Sequence, residues 1–421
     1  MAFQDIRKIR KGWSREDVRF MILVFIAVAG LLALNITLAR ILPGGEWLSL
    51  RWNGARAYLF EGIEPYSATV AERVQLLVYG RNAFSSEYGY VLNDPFYIVL
   101  LYSPLALFRD FAIARSIWML FSEAALVGIV LFTLRLLEWQ PPRWILISLF
   151  AFSLLGYYSL QSLLSASPTI FITFLYLSIL LALHSFNDEL AGALLLLAAY
   201  QWEVGALYFF FILVLVIANK RWSVLTGFGM VIFVMLIVSF LTYSGWLLPY
   251  TRAVLSDWHR GAALNLNSIL EFWFPDSRIP LGTSIAVSLL ILVFIEMIGA
   301  AQGHFRRIAW VTSLSLAATP LIGFPIFSSN YAALIPAFIL ILLLVFERWN
   351  RRQTLASVLV LMIAFLLPFG LYIASHLTQE RAYTDLLTVL PPIVTIVALY
   401  WMRWFAVRSP RTWMDQVGLR K

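Results

Sequence analysis

The chain has 421 residues, 61% of them hydrophobic and only 13% charged, with a mean hydropathy of +0.82. Soluble domains are about half apolar and about one quarter charged, so this composition excludes an ordinary soluble protein and predicts an all-α polytopic membrane protein, 1–421, in one integral membrane domain. The net charge of +8 does not point to nucleic acid, because excess Lys and Arg in a membrane protein marks the cytoplasmic side. The absence of cysteine excludes disulfides, thiolate metal sites and cysteine nucleophiles.

The chain opens with a basic segment, 1–19, expected on the cytoplasmic side. The apolar run 20–41 is long enough to span, and no small-residue cleavage site follows it. Residues 42–111 form a first outer loop. Its stretch 44–67, GGEWLSLRWNGARAYLFEGIEPYS, is too polar to span and too apolar to be a solvated linker. The spacing of Trp47, Leu50, Gly54, Ala57 and Tyr58 predicts an amphipathic helix at the interface. The short apolar stretch 95–108, with Pro104 inside it, either crosses or re-enters.

Further spans are expected at 112–136, 143–160, 168–185, 189–201, 204–219, 223–243, 281–300, 309–323, 327–346, 354–376 and 384–404, the one at 189–201 being short and either tilted or only partly embedded. That makes about 12 crossings. A second outer loop occupies 244–280, and a basic tail, 405–421, ends the chain. If 95–108 does not cross, both termini are cytoplasmic, and every lysine and every tight basic pair falls on that side. The two loops and the short turns 161–167, 201–203 and 324–330 then share the outer face. If it does cross, the 135–143 loop flips outward; the charge pattern favours the first topology.

Read in order, the outer motifs resemble glycosyltransferase family 87 of the GT-C superfamily, whose members use polyprenol-phosphate sugars. The resemblance rests on Glu46-Trp47, Trp52-Asn53-Gly54-Ala55-Arg56-Ala57 and Gly62-Ile63-Glu64-Pro65-Tyr66 in the first loop. It continues through Asn93-Asp94-Pro95-Phe96-Tyr97, Ser103-Pro104-Leu105, Leu160-Gln161, Leu190-Ala191-Gly192 and Gln201-Trp202-Glu203. Leu266-Asn267-Ser268, Asn330-Tyr331 and Ile335-Pro336 follow. No single motif is long; their colinearity from 20 to about 346 is the signal. This chain departs from the family pattern with Glu for Asp at 46, Leu for Gly at 160, Gln for Lys at 201 and Asn for His at 330.

The resemblance implies a GT-C-like helical bundle with interfacial helices in its first outer loop. It implies transfer of a hexose such as mannose from a polyprenyl-phosphate donor to a lipid or glycan acceptor, outside a bacterial plasma membrane. Such a site needs a carboxylate as general base and cations or donors near the leaving phosphate. The candidates for the base are Glu46, Asp94 and Glu203. The candidates for substrate contact are Arg51, Arg56, Gln161, Gln201, Arg260, Asn267, Asn330 and Tyr331. No cofactor is implied beyond the lipid-linked sugar itself. Membrane lipids are the other partners. No histidine has a partner at helical spacing, so no metal site is expected.

Each candidate also has a structural reading. Glu46 follows Pro-Gly-Gly, where an acid favours a helix N-terminus. Glu64 suits a turn, Asp94 a helix start, and Glu203 an exposed interfacial turn. Two rival functions stay open. Glu123 and Glu296 lie inside apolar spans, where acids are costly; they would suit a transporter or lipid flippase, although the sequence shows no internal repeat. The substituted motif positions would suit a GT-C-like scaffold without activity.

Overall fold

In hydrocarbon a backbone amide finds no water, so spans must be helices or a closed barrel. Every regular element among the described residues is a helix. The computed structural model describes residues 15–84, 87–260, 264–277, 280–349 and 352–407. The basic ends expected at 1–19 and 405–421 lie largely outside them.

The first span is α1 (Arg15–Ile41). The first loop folds as α2 (Glu46–Arg56), a π-turn at Ala57–Glu61, and α3 (Ala68–Tyr79). Next come α4 (Phe96–Leu101) and α5 (Ser103–Ala106). With 6 and 4 residues, these two reach roughly 15 Å together, against about 30 Å of hydrocarbon. The 95–108 stretch therefore does not cross as a helix.

Next are α6 (Phe111–Leu136), α7 (Arg143–Leu155) and α8 (Tyr157–Leu164). The expected single span 143–160 is bent by 40° between α7 and α8, at Gly156. Then come α9 (Thr169–His184), α10 (Asp188–Ala198), α11 (Trp202–Ala218) and α12 (Trp222–Thr242). The second loop carries α13 (Leu247–Arg260) and α14 (Leu266–Trp273). The last part holds α15 (Leu281–Ala301), α16 (Phe305–Ala318), α17 (Ile335–Arg348), α18 (Gln353–Thr378), α19 (Arg381–Trp401) and α20 (Arg403–Val407). Two 3₁₀ turns, Thr319–Ile322 and Ser328–Leu334, precede α17.

Seven helical stretches among the described residues are long and apolar enough to cross a membrane, or eight if α7 and α8 form one broken span. α9 and α11, with 16 and 17 residues, are shorter. α10 has 11 residues, about 16 Å, roughly half the hydrocarbon thickness. It lies close against α12: a Cβ on Gly192 would overlap the Val224 carbonyl, and one on Gly227 the Glu189 carbonyl. Small residues at such a crossing let two backbones approach. The Ala191-Gly192 motif therefore has a packing role.

The centre of the bundle is formed by α9, α11 and α17, with Ile172, Ile179, Tyr208, Phe211, Ile339 and Leu342 buried among them. α1, α12, α15 and α18 turn apolar side chains outward, as lipid-facing helices do. The two acids inside spans have partners. Glu123 accepts from Asn35 Nδ2 of α1 at 3.0 Å. Glu296 lies near the end of α15 and pairs with Arg307 at 3.3 Å and Arg403 at 2.6 Å. Both are held in helix-to-helix contacts rather than in an open polar pathway.

Candidate functional site

α2 begins after Gly44 and Gly45, whose φ of +118° and +85° suit residues without a Cβ. Arg115 of α6 pins this entry. It is 2% exposed and donates to the carbonyls of Ala39, Leu42, Pro43 and Leu164, at 3.2, 2.8, 3.0 and 2.6 Å. One guanidinium thus ties the end of α1, the turn into α2 and the end of α8. A Cβ at Gly44 would come within 2.5 Å of the Leu164 carbonyl, so this joint requires glycine.

So held, α2 carries Arg51 to Asp94. Both residues are 3% exposed. Arg51 Nε lies 2.8 Å from Asp94 Oδ2, and Nη2 donates to Oδ1 at 3.2 Å. The guanidinium also lies between the rings of Tyr102 and Tyr200, 5.7 and 5.6 Å from their centroids. Burial works against its charge, but Asp94 and the two tyrosines more than offset that, and its pKa rises. A two-point pair with stacked aromatics is a fixed geometry that Lys could not reproduce.

This pair forms part of the wall of a cavity of about 820 Å³. The first loop contributes Trp47, Arg51, Tyr88, Asn93, Asp94 and Tyr97; the 200–203 turn contributes Tyr200, Gln201 and Glu203; the second loop contributes Tyr250, Asp257 and Asn265; and 322–325 closes the ring. Segments expected on one face of the membrane from separate parts of the sequence meet around one chamber. Further bonds hold them together: Asn93 Nδ2 donates to Asp257 Oδ2 at 2.9 Å, Tyr66 OH to the Asp94 carbonyl at 3.0 Å, and Tyr243 OH to Glu64 at 3.0 Å. Glu64 thus ties the first loop to the end of α12.

Glu203 sits in the first turn of α11, just ahead of the apolar stretch, and faces this chamber. Burial, with Asp257 and Asp94 adding like charge, pushes its pKa up to about 8, against the opposing pull of Arg51 and Asn330. A carboxyl whose proton comes off in this range is suited to accept one from a hydroxyl.

The other candidates are spread more widely. Glu46, the first residue of α2, does not line the chamber; burial raises its pKa to about 7, against a backbone hydrogen bond and Arg115. Arg56 turns away, donating to the Ala106 carbonyl at 3.1 Å and lying over Trp52. Gln161 lies in α8 and Asn267 in α14, neither in the chamber wall. Asn267 Oδ1 accepts from Thr283 Oγ1 at 3.4 Å. The side chain of Arg260 lies outside the described residues. Asn330 is buried, does not line the chamber, and pulls Glu203 toward its ionised form. Tyr331 donates to the Thr388 carbonyl and lines a different, apolar cavity of about 400 Å³ between α7, α17, α18 and α19.

The residue missed in the sequence is Asp257. Its signal was present: an acid on the strongly amphipathic α13, in the same loop as Arg260. The chamber tyrosines 88, 97, 200 and 250 were hidden among many interfacial aromatics. Among the described residues no group of three or more His, Asp or Glu side chains is arranged to hold a metal ion. Comparisons with models of protein families, with curated proteins and with solved structures find no match.

Proposed function

We propose that this chain is a membrane glycosyltransferase that moves a hexose, such as mannose, from a polyprenyl-phosphate carrier to a lipid or glycan acceptor. The observation that carries the reading is Glu203, a half-buried carboxyl facing a polar, tyrosine-lined chamber beside the fixed Arg51–Asp94 pair. Glu203 is the base; Glu46, outside the chamber wall, is not. The acceptor hydroxyl gives its proton to Glu203 as its oxygen bonds to the anomeric carbon. The bond from that carbon to the phosphate oxygen breaks, and the polyprenyl phosphate leaves with the bonding electrons. A single displacement inverts the anomeric centre.

Arg51 and the chamber hydroxyls supply donors toward the leaving phosphate. Tyr200 and Trp202 offer ring faces for a sugar. The apolar cavity supports the same reading. Tyr331 lines it, and the preceding residue of the same 3₁₀ turn, Asn330, pulls Glu203 toward its ionised form. An isoprenoid tail fits such an apolar space, with its phosphate at the polar end.

The test is transfer by the purified protein in nanodiscs, using a panel of radiolabelled polyprenyl-phosphate hexoses and extracted envelope lipids as acceptors. A labelled product with inverted anomeric configuration supports the proposal. No product with any donor, from a protein that remains folded, overturns it.

A further inference from the structure

A second polar cavity, also of about 820 Å³, adjoins the chamber. Its walls come from the turn before α3, from α3 itself, from the segment that follows α3 and from α13. α13 is the partition. Pro249, Arg252, Ala253 and Ser256 line the second cavity, whereas Tyr250, Val254 and Asp257 line the chamber. The two sets follow the helical period as adjacent stripes of one helix.

Gly89 is the one residue that lines both spaces. Glycine has no side chain, so none stands between them at that point. Gln75 of α3 holds Gly89 in place: its Nε2 donates to the Gly89 carbonyl at 2.7 Å, and its Oε1 accepts from the Ala83 amide at 2.9 Å. Tyr66 braces the wall again. It lines the second cavity, while its hydroxyl donates to the carbonyl of Asp94, a chamber residue.

Several polar groups of this cavity have no protein partner. Glu72 on α3 and Arg252 on α13 both line it, and among the described residues neither is engaged in a hydrogen bond or an ion pair. An acceptor on one wall and a donor on the other suit a polyhydroxylated molecule, whose hydroxyls both give and receive. Ser67 Oγ, in the same wall, is buried and completes no hydrogen bond; such groups are few in native structures and call for a partner. Tyr66 and Phe84 add ring surface. A few polar groups among aromatic rings, in a space within the roughly 300–1,000 Å³ of ligand pockets, is the pattern of a small-molecule site. Glu64, Glu72 and Glu87 outnumber Arg252 in the lining. Arg81 engages Glu87, and the remaining acids favour an uncharged ligand over an acidic one.

We infer that this cavity is a subsite for a neutral oligosaccharide acceptor, whose terminal sugar enters the chamber at Glu203 while the units already joined to it lie past Gly89. The inference rests on the proposed transfer reaction and selects glycan over lipid as its acceptor. A lipid chain in this cavity would leave Glu72, Arg252 and Ser67 without partners.

The experiment is equilibrium binding, by saturation-transfer NMR, of neutral trisaccharides of mannose, glucose and galactose and of the corresponding monosaccharides to the full-length protein in nanodiscs. At least one trisaccharide is expected to bind about tenfold or more tightly than its monosaccharide. Ser256 is partly exposed in the cavity wall. Ser256→Trp fills the cavity and should abolish that preference while leaving monosaccharide binding unchanged. Glu72→Ala with Arg252→Ala, both at exposed positions, should weaken the trisaccharide alone by several-fold. Thr251→Trp, exposed on the same helix and in neither wall, should change nothing.

If Ser256→Trp does not fold, the double variant carries the test. No preference for any trisaccharide in the wild type overturns the inference. So does a preference that survives both changes, or one that Thr251→Trp loses equally. No donor is present in this assay. Oligosaccharide binding without transfer would therefore count against the enzyme reading alone, and transfer to lipid without oligosaccharide binding would count against the subsite alone.

Discussion

Glu203 combines three properties: it faces a chamber, it lies beside like charge, and its proton is held to about pH 8. The sign of the pH dependence follows. A base must be deprotonated, so kcat/KM should rise with pH and level off above about 8. Stability should run the other way. The folded state holds this proton more tightly than the unfolded chain does, so its contribution is present at low pH and is lost as pH rises from the ordinary value of 4.5 to about 8. Glu203→Gln, which cannot ionise, should therefore melt higher than the wild type at pH 9, by roughly a few degrees, and nearly level with it at pH 5. Thermal scans at the two pH values check this. The type of chemistry was legible here, in an acid beside Trp202 between two apolar runs. Its environment was not, because the like charge that tunes it comes from Asp257, 54 residues further on in a separate loop.

The joint around Arg115 decides whether the chamber forms at all. Four carbonyls depend on one guanidinium, and α2 cannot bring Arg51 to Asp94 unless the turn at Gly44–Gly45 is closed. Arg115→Met should destabilise the protein strongly, by about 3–5 kcal/mol, since it leaves buried acceptors without donors. Loss of protection in α2 and the 88–97 segment, seen by hydrogen exchange, should accompany it. Arg115 gave no sign of this in the sequence, where it reads as one more charge at a span end. The long apolar helices α1, α6, α12, α15 and α18 stood close to where periodicity and length put them. The broken elements were less legible: α7 and α8 read as one span because Gly156 alone marks the bend, and α10 read as a short span, tilted or partly embedded, whose 11 residues reach about half way. Composition reports that a segment belongs in lipid, whereas a bend or a partial insertion is set by what packs around it.

At the scale of the whole molecule, the lining around Glu203, Asp94 and Asp257 comes from the two loops and from the turns 201–203 and 324–330, segments the positive-inside rule expects on one face. The chain has no cysteine, so an introduced one is unique and reports sidedness. Ala68→Cys should react with an impermeant maleimide from outside intact cells. Gln302→Cys and Gln140→Cys should react only after the cells are opened. Labelling of Gln140→Cys from outside would mean that 95–108 crosses after all. The central claim is narrower than this topology, and one assay reaches it most directly: sugar transfer by wild type, Glu203→Gln and Glu46→Gln in nanodiscs with the donor that the panel identifies. We expect Glu203→Gln to lose about 100-fold or more in kcat with its fold intact, and Glu46→Gln to keep most of the activity. Full activity in Glu203→Gln, with loss confined to Glu46→Gln, would contradict the account and move the base to the start of α2.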